Sequence, residues 1–162
     1  MLPEFIKEND LTIIPQYYSF GDTVYGDELN MPPHEFYETM RKGELPKSQA
    51  NNPAVIRERF EKILKEGKDI LHIAFSSALS GSCNNVMITA NELLEEYPER
   101  KIRVFDSLNA SLGEGVSVYR AIELWKEGKS MDEVYEVLEE ERDQINVSFT
   151  VNDLNHLQRG GR

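Results

Sequence analysis

At 162 residues the chain has the size of one ordinary domain, large enough to bury a real core and too short for a second complete one. Its 29 acidic residues against 18 basic ones give a net charge of −11, which argues against nucleic acid or an anionic membrane as partner, since phosphate contacts need clustered Lys and Arg. One cysteine, Cys83, allows neither an internal disulfide nor a Cys-based zinc site. No apolar run approaches the roughly 20 residues of a membrane-spanning helix, and Met1-Leu2-Pro3-Glu4 lacks the basic and apolar regions of a signal peptide. A cytoplasmic location is the expectation.

Residues 4–8 end a short helix, and the LTIIPQYY stretch over 11–18 has strand composition interrupted by Pro15, the pattern of an edge or irregular strand. Residues 20–25 add a second strand or hairpin arm around Gly21-Asp22. Pro32-Pro33 starts a helix carrying Phe36, Tyr37 and Met40 at helical spacing, ended by Gly43. Asn52-Pro53 reads as N-cap and first residue of a helix with Ile56, Phe60, Ile63 and Leu64 on one face and Gly67 as its stop. A strand over 69–75 follows. The next helix carries Val86, Ile88, Ala90, Leu93 and Leu94 and stops at Tyr97-Pro98. A short strand over 102–105 leads into Asp106-Ser107 and a long helix over about 110–127, ended by Gly128. Ser130-Met131-Asp132-Glu133 fits a capping box for a helix through about Gln144, its glutamate-rich part over 133–141 a solvated face. Residues 147–151 (VSFTV) read as the last strand, with Asp153 capping a final turn. Strands alternating with helices of this length predict an α/β fold, a largely parallel sheet with helices on both faces.

Chemistry concentrates where the apolar strand at residue 70 runs into Ser76-Ser77-Ala78-Leu79-Ser80-Gly81-Ser82 and then a helix. Free amides at a helix N-terminus, backed by the positive end of the dipole, hold carboxylate or phosphate without a cationic side chain. Taken alone, Ser80 is as readily an N-cap as a ligand group. Cys83, just inside the same helix, would have its thiol pKa lowered there, yet a packing role fits a small apolar position better. A Ser-His-Asp hydrolase would need a histidine within reach of Ser80, and His34, His72 and His156 are not placed there by sequence. The Gly-x-Ser-x-Gly elbow and the two glycine-rich nucleotide loops are missing, and no spacing suggests a metal site.

Several segments in one order are similar to the DegV family of fatty-acid-binding proteins, which includes the fatty-acid-carrier subunit of bacterial fatty acid kinase. Pro46-Lys47-Ser48-Gln49-Ala50-Asn51-Asn52-Pro53 resembles the family's Pro-Lys-Thr-Ser-Gln-Pro-Ser-Pro, and Ser76 through Ser82 its Ser-Ser-Lys-Leu-Ser-Gly-Thr. Residues 106–115 resemble Asp-Ser-Lys-Ser-Ala-Ser-Met-Gly-Leu-Gly, and residues 153–162 resemble Asp-Asp-Leu-Glu-Tyr-Leu-Arg-Arg-Gly-Gly-Arg. Tyr18-Ser19-Phe20-Gly21-Asp22 and Glu35-Phe36-Tyr37 agree as well. Ser48 and Ser82 stand for family threonines and keep the hydroxyl, whereas Asn51 stands for a proline.

The resemblance implies a DegV-type N-terminal domain over 1–162, truncated at both ends, with the second domain missing. It further implies a non-enzymatic carrier with no cofactor, whose partners are a long-chain fatty acid and a fatty acid kinase subunit. The carboxylate would rest on Ser48, from a loop folded beside the turn, on Ser80 and on the Gly81 amide. Ser76, Ser77, Ser82, Asp106 and Ser107 would support it, with Arg159 and Arg162 as cations of open role. Asp106 also reads as a turn or cap residue at a strand end, the edge where open α/β sheets bind ligands. Lys47 stays a solvated side chain. The rival class is a serine-dependent esterase or phosphotransfer protein using the same turn.

Overall fold

The computed structural model describes residues 3–27, 29–151, 154 and 158. Helix α1 (Pro3–Glu8) leads through residues 11–16, which form no strand, to β1 (Tyr17–Phe20), turned at Gly21-Asp22 into β2 (Thr23–Tyr25). Helix α2 (Pro33–Arg41), β3 (Lys47–Gln49) and α3 (Pro53–Lys65) follow. Then come β4 (Ile70–Ala74), α4 (Ser82–Glu96), β5 (Ile102–Asp106), α5 (Leu112–Lys126) and α6 (Met131–Glu141), which tightens into a 3₁₀ turn over Arg142–Gln144.

Local chemistry sets most helix ends. The Asn52 side chain accepts from the Ala54 amide at 2.9 Å, with Pro53 as first helical residue. Ser130 and Glu133 complete the capping box: the Glu133 carboxylate accepts from the Ser130 amide at 2.8 Å, and the Ser130 hydroxyl accepts from the Glu133 amide at 3.3 Å. Gly67 and Gly128 end α3 and α5 at φ +78° and +90°, left-handed backbone that glycine adopts without a Cβ penalty.

The strands form a parallel pair, β4–β5, with Ile70 opposite Ile102 and Ala74 opposite Asp106, and an antiparallel trio ordered β2–β1–β3. The α/β class holds, but among the described strands only β4–β5 pairs in parallel, so the expected largely parallel sheet is not what these residues form. Helices do cover both faces of the pair. On one face Ile56, Phe60 and Leu64 of α3 and Val86, Ala90 and Leu93 of α4 pack on Ile70 and Ile102. On the other, Ala121, Leu124, Val134 and Leu138 of α5 and α6 pack on Phe105, which is fully buried. The alternation of side chains along β4 and β5 produces the division.

Two sequence expectations need correction. The strand expected over 11–18 exists only as β1 from Tyr17 on, because residues 11–16 meet no described strand that could take their backbone bonds. Residues 147–151 likewise join no strand: Val147 lies against the start of α5, where a Cβ on Gly113 would come within 2.5 Å of its Cγ2, and Phe149 is exposed. β-forming composition is realised only where an open edge is in reach. Asp153 and its cap lie outside the described residues.

Candidate functional site

The turn between β4 and α4 is built from its floor upward. The Ser76 amide donates to the Asn109 carbonyl at 2.9 Å, and the Ser76 carbonyl accepts from the Leu79 and Ser80 amides at 3.1 Å each. Asp106, at the end of β5, accepts from the Ser77 and Leu108 amides at 3.1 Å through one oxygen, Oδ1. Ser107, with no exposed surface, donates to the Ala74 carbonyl at 2.7 Å and to the Asn109 carbonyl at 3.2 Å, and accepts from the Asn109 amide at 3.2 Å. Ser76, Ser77, Asp106 and Ser107 thus tie the ends of the two parallel strands together. Leu108 and Ser111 hold φ of +50° and +54° in the same loop, strain that the surrounding bonds must sustain.

On this floor Gly81 is the N-cap residue of α4 with no side-chain cap. Ser80 is therefore not the cap that a sequence reading allows. Its hydroxyl, half-buried, accepts from the Ser82 amide at 3.2 Å and lies 3.0 Å from the Ser82 hydroxyl. The Ser82 hydroxyl, almost fully buried, accepts from the Asn51 amide at 3.0 Å. Asn85 Nδ2 donates to the Asn51 carbonyl at 2.9 Å, and Asn51 Nδ2 to the Pro15 carbonyl at 2.7 Å. These bonds bring the segment after β3 against the turn, where a Cβ on Gly81 would meet only Ala50 Cβ, at 4.0 Å. The Gly81 amide donates to no acceptor among the described residues. An amide and a hydroxyl side by side at a helix N-terminus suit an anion.

Ser48 is in β3, opposite Tyr18 and exposed, not in a loop as expected; it sits three residues before Asn51, with no hydrogen bond to the turn. Arg159 and Arg162 lie outside the described residues, as does His156. Asn51, Asn85 and Asn109 hold the site and were not singled out as such from sequence; no local signal marks them, because their partners lie across loops.

Cys83 packs inside α4, and burial, helped by the Asp106 charge, pushes its thiol pKa up, the opposite of an activated nucleophile. His72 is held low, at about 4, by burial, and its ring lies 5.7 Å from that of Phe60. It is a neutral packing residue with no bond to Ser80. Among the described residues no His, Cys, Asp and Glu group could hold a metal ion, and no helix is long and apolar enough to cross a membrane.

A cavity of about 1070 Å³ reaches Asn51, Ser82 and Cys83 from beneath the turn and continues between β4 and α5 past Val118, Ile122 and Trp125. Glu114 also lines it, and burial raises its carboxyl pKa.

The model of a family described as "Uncharacterised protein, DegV family" matches residues 1–162. The chain belongs to the DegV family. A DegV domain-containing protein of Clostridium perfringens is 40% identical over 159 residues, 97% of this chain and 55% of that protein. A fatty-acid-binding DegV family protein from Thermus thermophilus has a similar structure, with TM-score 0.85 and 29% identity over 100% of this chain and 56% of the other. The Streptococcus pneumoniae Fatty Acid Kinase B3 protein, loaded with linoleic acid, matches at TM-score 0.69 and 28% identity over 80% of this chain and 45% of its own. This DegV chain spans about half the length of the relatives it matches.

Proposed function

We propose that this DegV chain forms part of a carrier that holds a long-chain fatty acid by its carboxylate and presents it to a partner kinase, without catalysing a reaction itself. Ser80 supplies a hydroxyl donor, Gly81 an amide, and Ser48 a second hydroxyl from β3, while the acyl chain lies in apolar space beneath the turn. The observation that carries this reading is the 80–82 turn, whose unengaged Gly81 amide and half-buried Ser80 hydroxyl adjoin the cavity at Ser82. The likeness to fatty-acid-binding DegV proteins over the whole chain supports it. Charge-assisted hydrogen bonds contribute about 1.5–3 kcal/mol each, and a dozen buried methylenes at roughly 0.8 kcal/mol each supply most of the affinity, so the turn chiefly sets orientation. The esterase alternative finds no histidine bonded to Ser80 among the described residues, since His72 packs on Phe60 instead.

Native mass spectrometry followed by lipid extraction tests this. Wild type and Gly81→Ala should carry stoichiometric fatty acid, because a Cβ at Gly81 meets only Ala50. Ser80→Ala and Gly81→Pro should lose it; φ at Gly81 is −70°, which suits proline while deleting the amide. Retention by all three variants, or turnover of a chromogenic ester that stops in Ser80→Ala, would overturn the reading.

A further inference from the structure

A hydroxyl has one proton to give and two lone pairs to receive with, so the neighbours of Ser80 and Ser82 decide where each proton points. The Ser82 hydroxyl is almost fully buried, and its oxygen accepts from the Asn51 amide at 3.0 Å. Its proton finds one acceptor among the described residues, the Ser80 hydroxyl oxygen at 3.0 Å. Distance alone does not say which of the two oxygens donates. Burial does: with Ser80 as donor, the Ser82 proton would be shut inside the protein without an acceptor, a costly state. The bond therefore runs from Ser82 to Ser80.

The Ser80 oxygen takes a second bond, from the Ser82 amide at 3.2 Å. With both lone pairs engaged, the half-buried Ser80 hydroxyl has only its proton left to offer. The Gly81 amide beside it is a donor too, and it meets no acceptor among the described residues. These two groups face a ligand as donors alone. The Asn51 amide strengthens the arrangement, because a hydroxyl that accepts a bond is polarised into a better donor. Asn51 is itself held in place, its carbonyl by Asn85 Nδ2 at 2.9 Å and its side chain on the Pro15 carbonyl at 2.7 Å.

We infer that Ser82, anchored by the Asn51 amide, is a positioning residue that fixes the Ser80 hydroxyl as a donor, so that the turn selects an ionised carboxylate over a neutral head group on the same acyl chain. A carboxylate accepts from both donors, and its charge assists each bond. A fatty alcohol accepts without that assistance, and its own proton finds both Ser80 lone pairs already taken. Without the Ser82 hydroxyl, one Ser80 lone pair is freed and receives the alcohol proton. The selection rests on the carrier reading, because it presupposes that the head group meets Ser80.

Competition between palmitate and hexadecanol, read by native mass spectrometry on the protein expressed from its whole gene, tests it. Wild type should prefer the acid, and Ser82→Thr, which keeps the hydroxyl, should stay within about threefold of that preference. Ser82→Ala should lower the preference at least about tenfold, with the alcohol gaining on the acid. Because Ser82→Ala strands the Asn51 amide, a second pair guards against a folding defect. Asn51→Pro keeps the Ser82 hydroxyl and should select as wild type does, whereas Asn51→Pro combined with Ser82→Ala removes donor and acceptor together, orphans neither, and should lose the preference. Undiminished preference in both variants that lack the Ser82 hydroxyl overturns the inference, as does an equal loss of acid and alcohol, which would make Ser82 a structural residue only. Ser80→Ala separates the two readings: if it holds palmitate as wild type does, the carrier site itself is misplaced, and if it releases palmitate while Ser82→Ala selects like wild type, the inference about Ser82 alone fails.

Discussion

Removing the Ser107 hydroxyl, by Ser107→Ala, probes whether the floor beneath the turn holds it in place. The hydroxyl is fully buried, donates at 2.7 Å to Ala74 and accepts from the Asn109 amide at 3.2 Å. The Ala74 carbonyl keeps the Ser107 amide at 3.2 Å, so it stays satisfied, whereas the Asn109 amide loses its acceptor. One lost hydrogen bond at about 1 kcal/mol and one orphaned buried donor at about 1–3 kcal/mol give a cost of about 2–4 kcal/mol. With a urea dependence of about 2 kcal/mol per molar, the unfolding midpoint should fall by roughly 1–2 M at unchanged slope. The Asn109 carbonyl receives the Ser76 amide at 2.9 Å, so lipid retention should weaken as well. A midpoint shift below about 0.3 M would refute the reasoning and leave the loop to the Asn109 side chain, which donates to the Ser107 carbonyl at 3.0 Å.

Gly113→Ala should destabilise, although a Gly→Ala exchange inside a helix ordinarily stabilises, because the new methyl would stand 2.5 Å from Val147 Cγ2 and 2.6 Å from Asn109 Oδ1. A lowered thermal midpoint checks it, and a raised one, as helix propensity alone predicts, would show the segment at 147 yielding freely. His72 gives a pH signature. Its folded pKa of about 4 lies below the ordinary 6.5, so the unfolded chain takes the proton first and stability is lost as pH falls from 6.5 towards 4. Carboxylates such as Glu61 and Glu141, whose pKa values are lowered by Lys65 and Arg120, lose their contribution only below about 4.5. Urea midpoints at pH 7 and 5.5 should therefore converge in His72→Leu and differ in wild type; equal midpoints in wild type would mean that His72 is not held neutral.

Sequence by itself determined what neighbours along the chain decide. The Asn52 cap, the Ser130–Glu133 capping box and the glycine stops act within one helical turn, so their residue types already state their geometry. The strand into Ser76, the helix after Ser82 and the two-faced burial pattern were legible for the same reason, and the ordered motifs pointed to the family that matches the whole chain. Tertiary structure alone decided the rest. The Asn51–Ser82 bond spans 31 residues and the Ser77–Asp106 bond 29, and which loops meet depends on how the helices pack on the β4–β5 pair. Strand pairing has the same non-local character. Residues 11–16 and 147–151 have the composition of strands, yet a strand needs an open edge beside it, and side-chain preference names no partner.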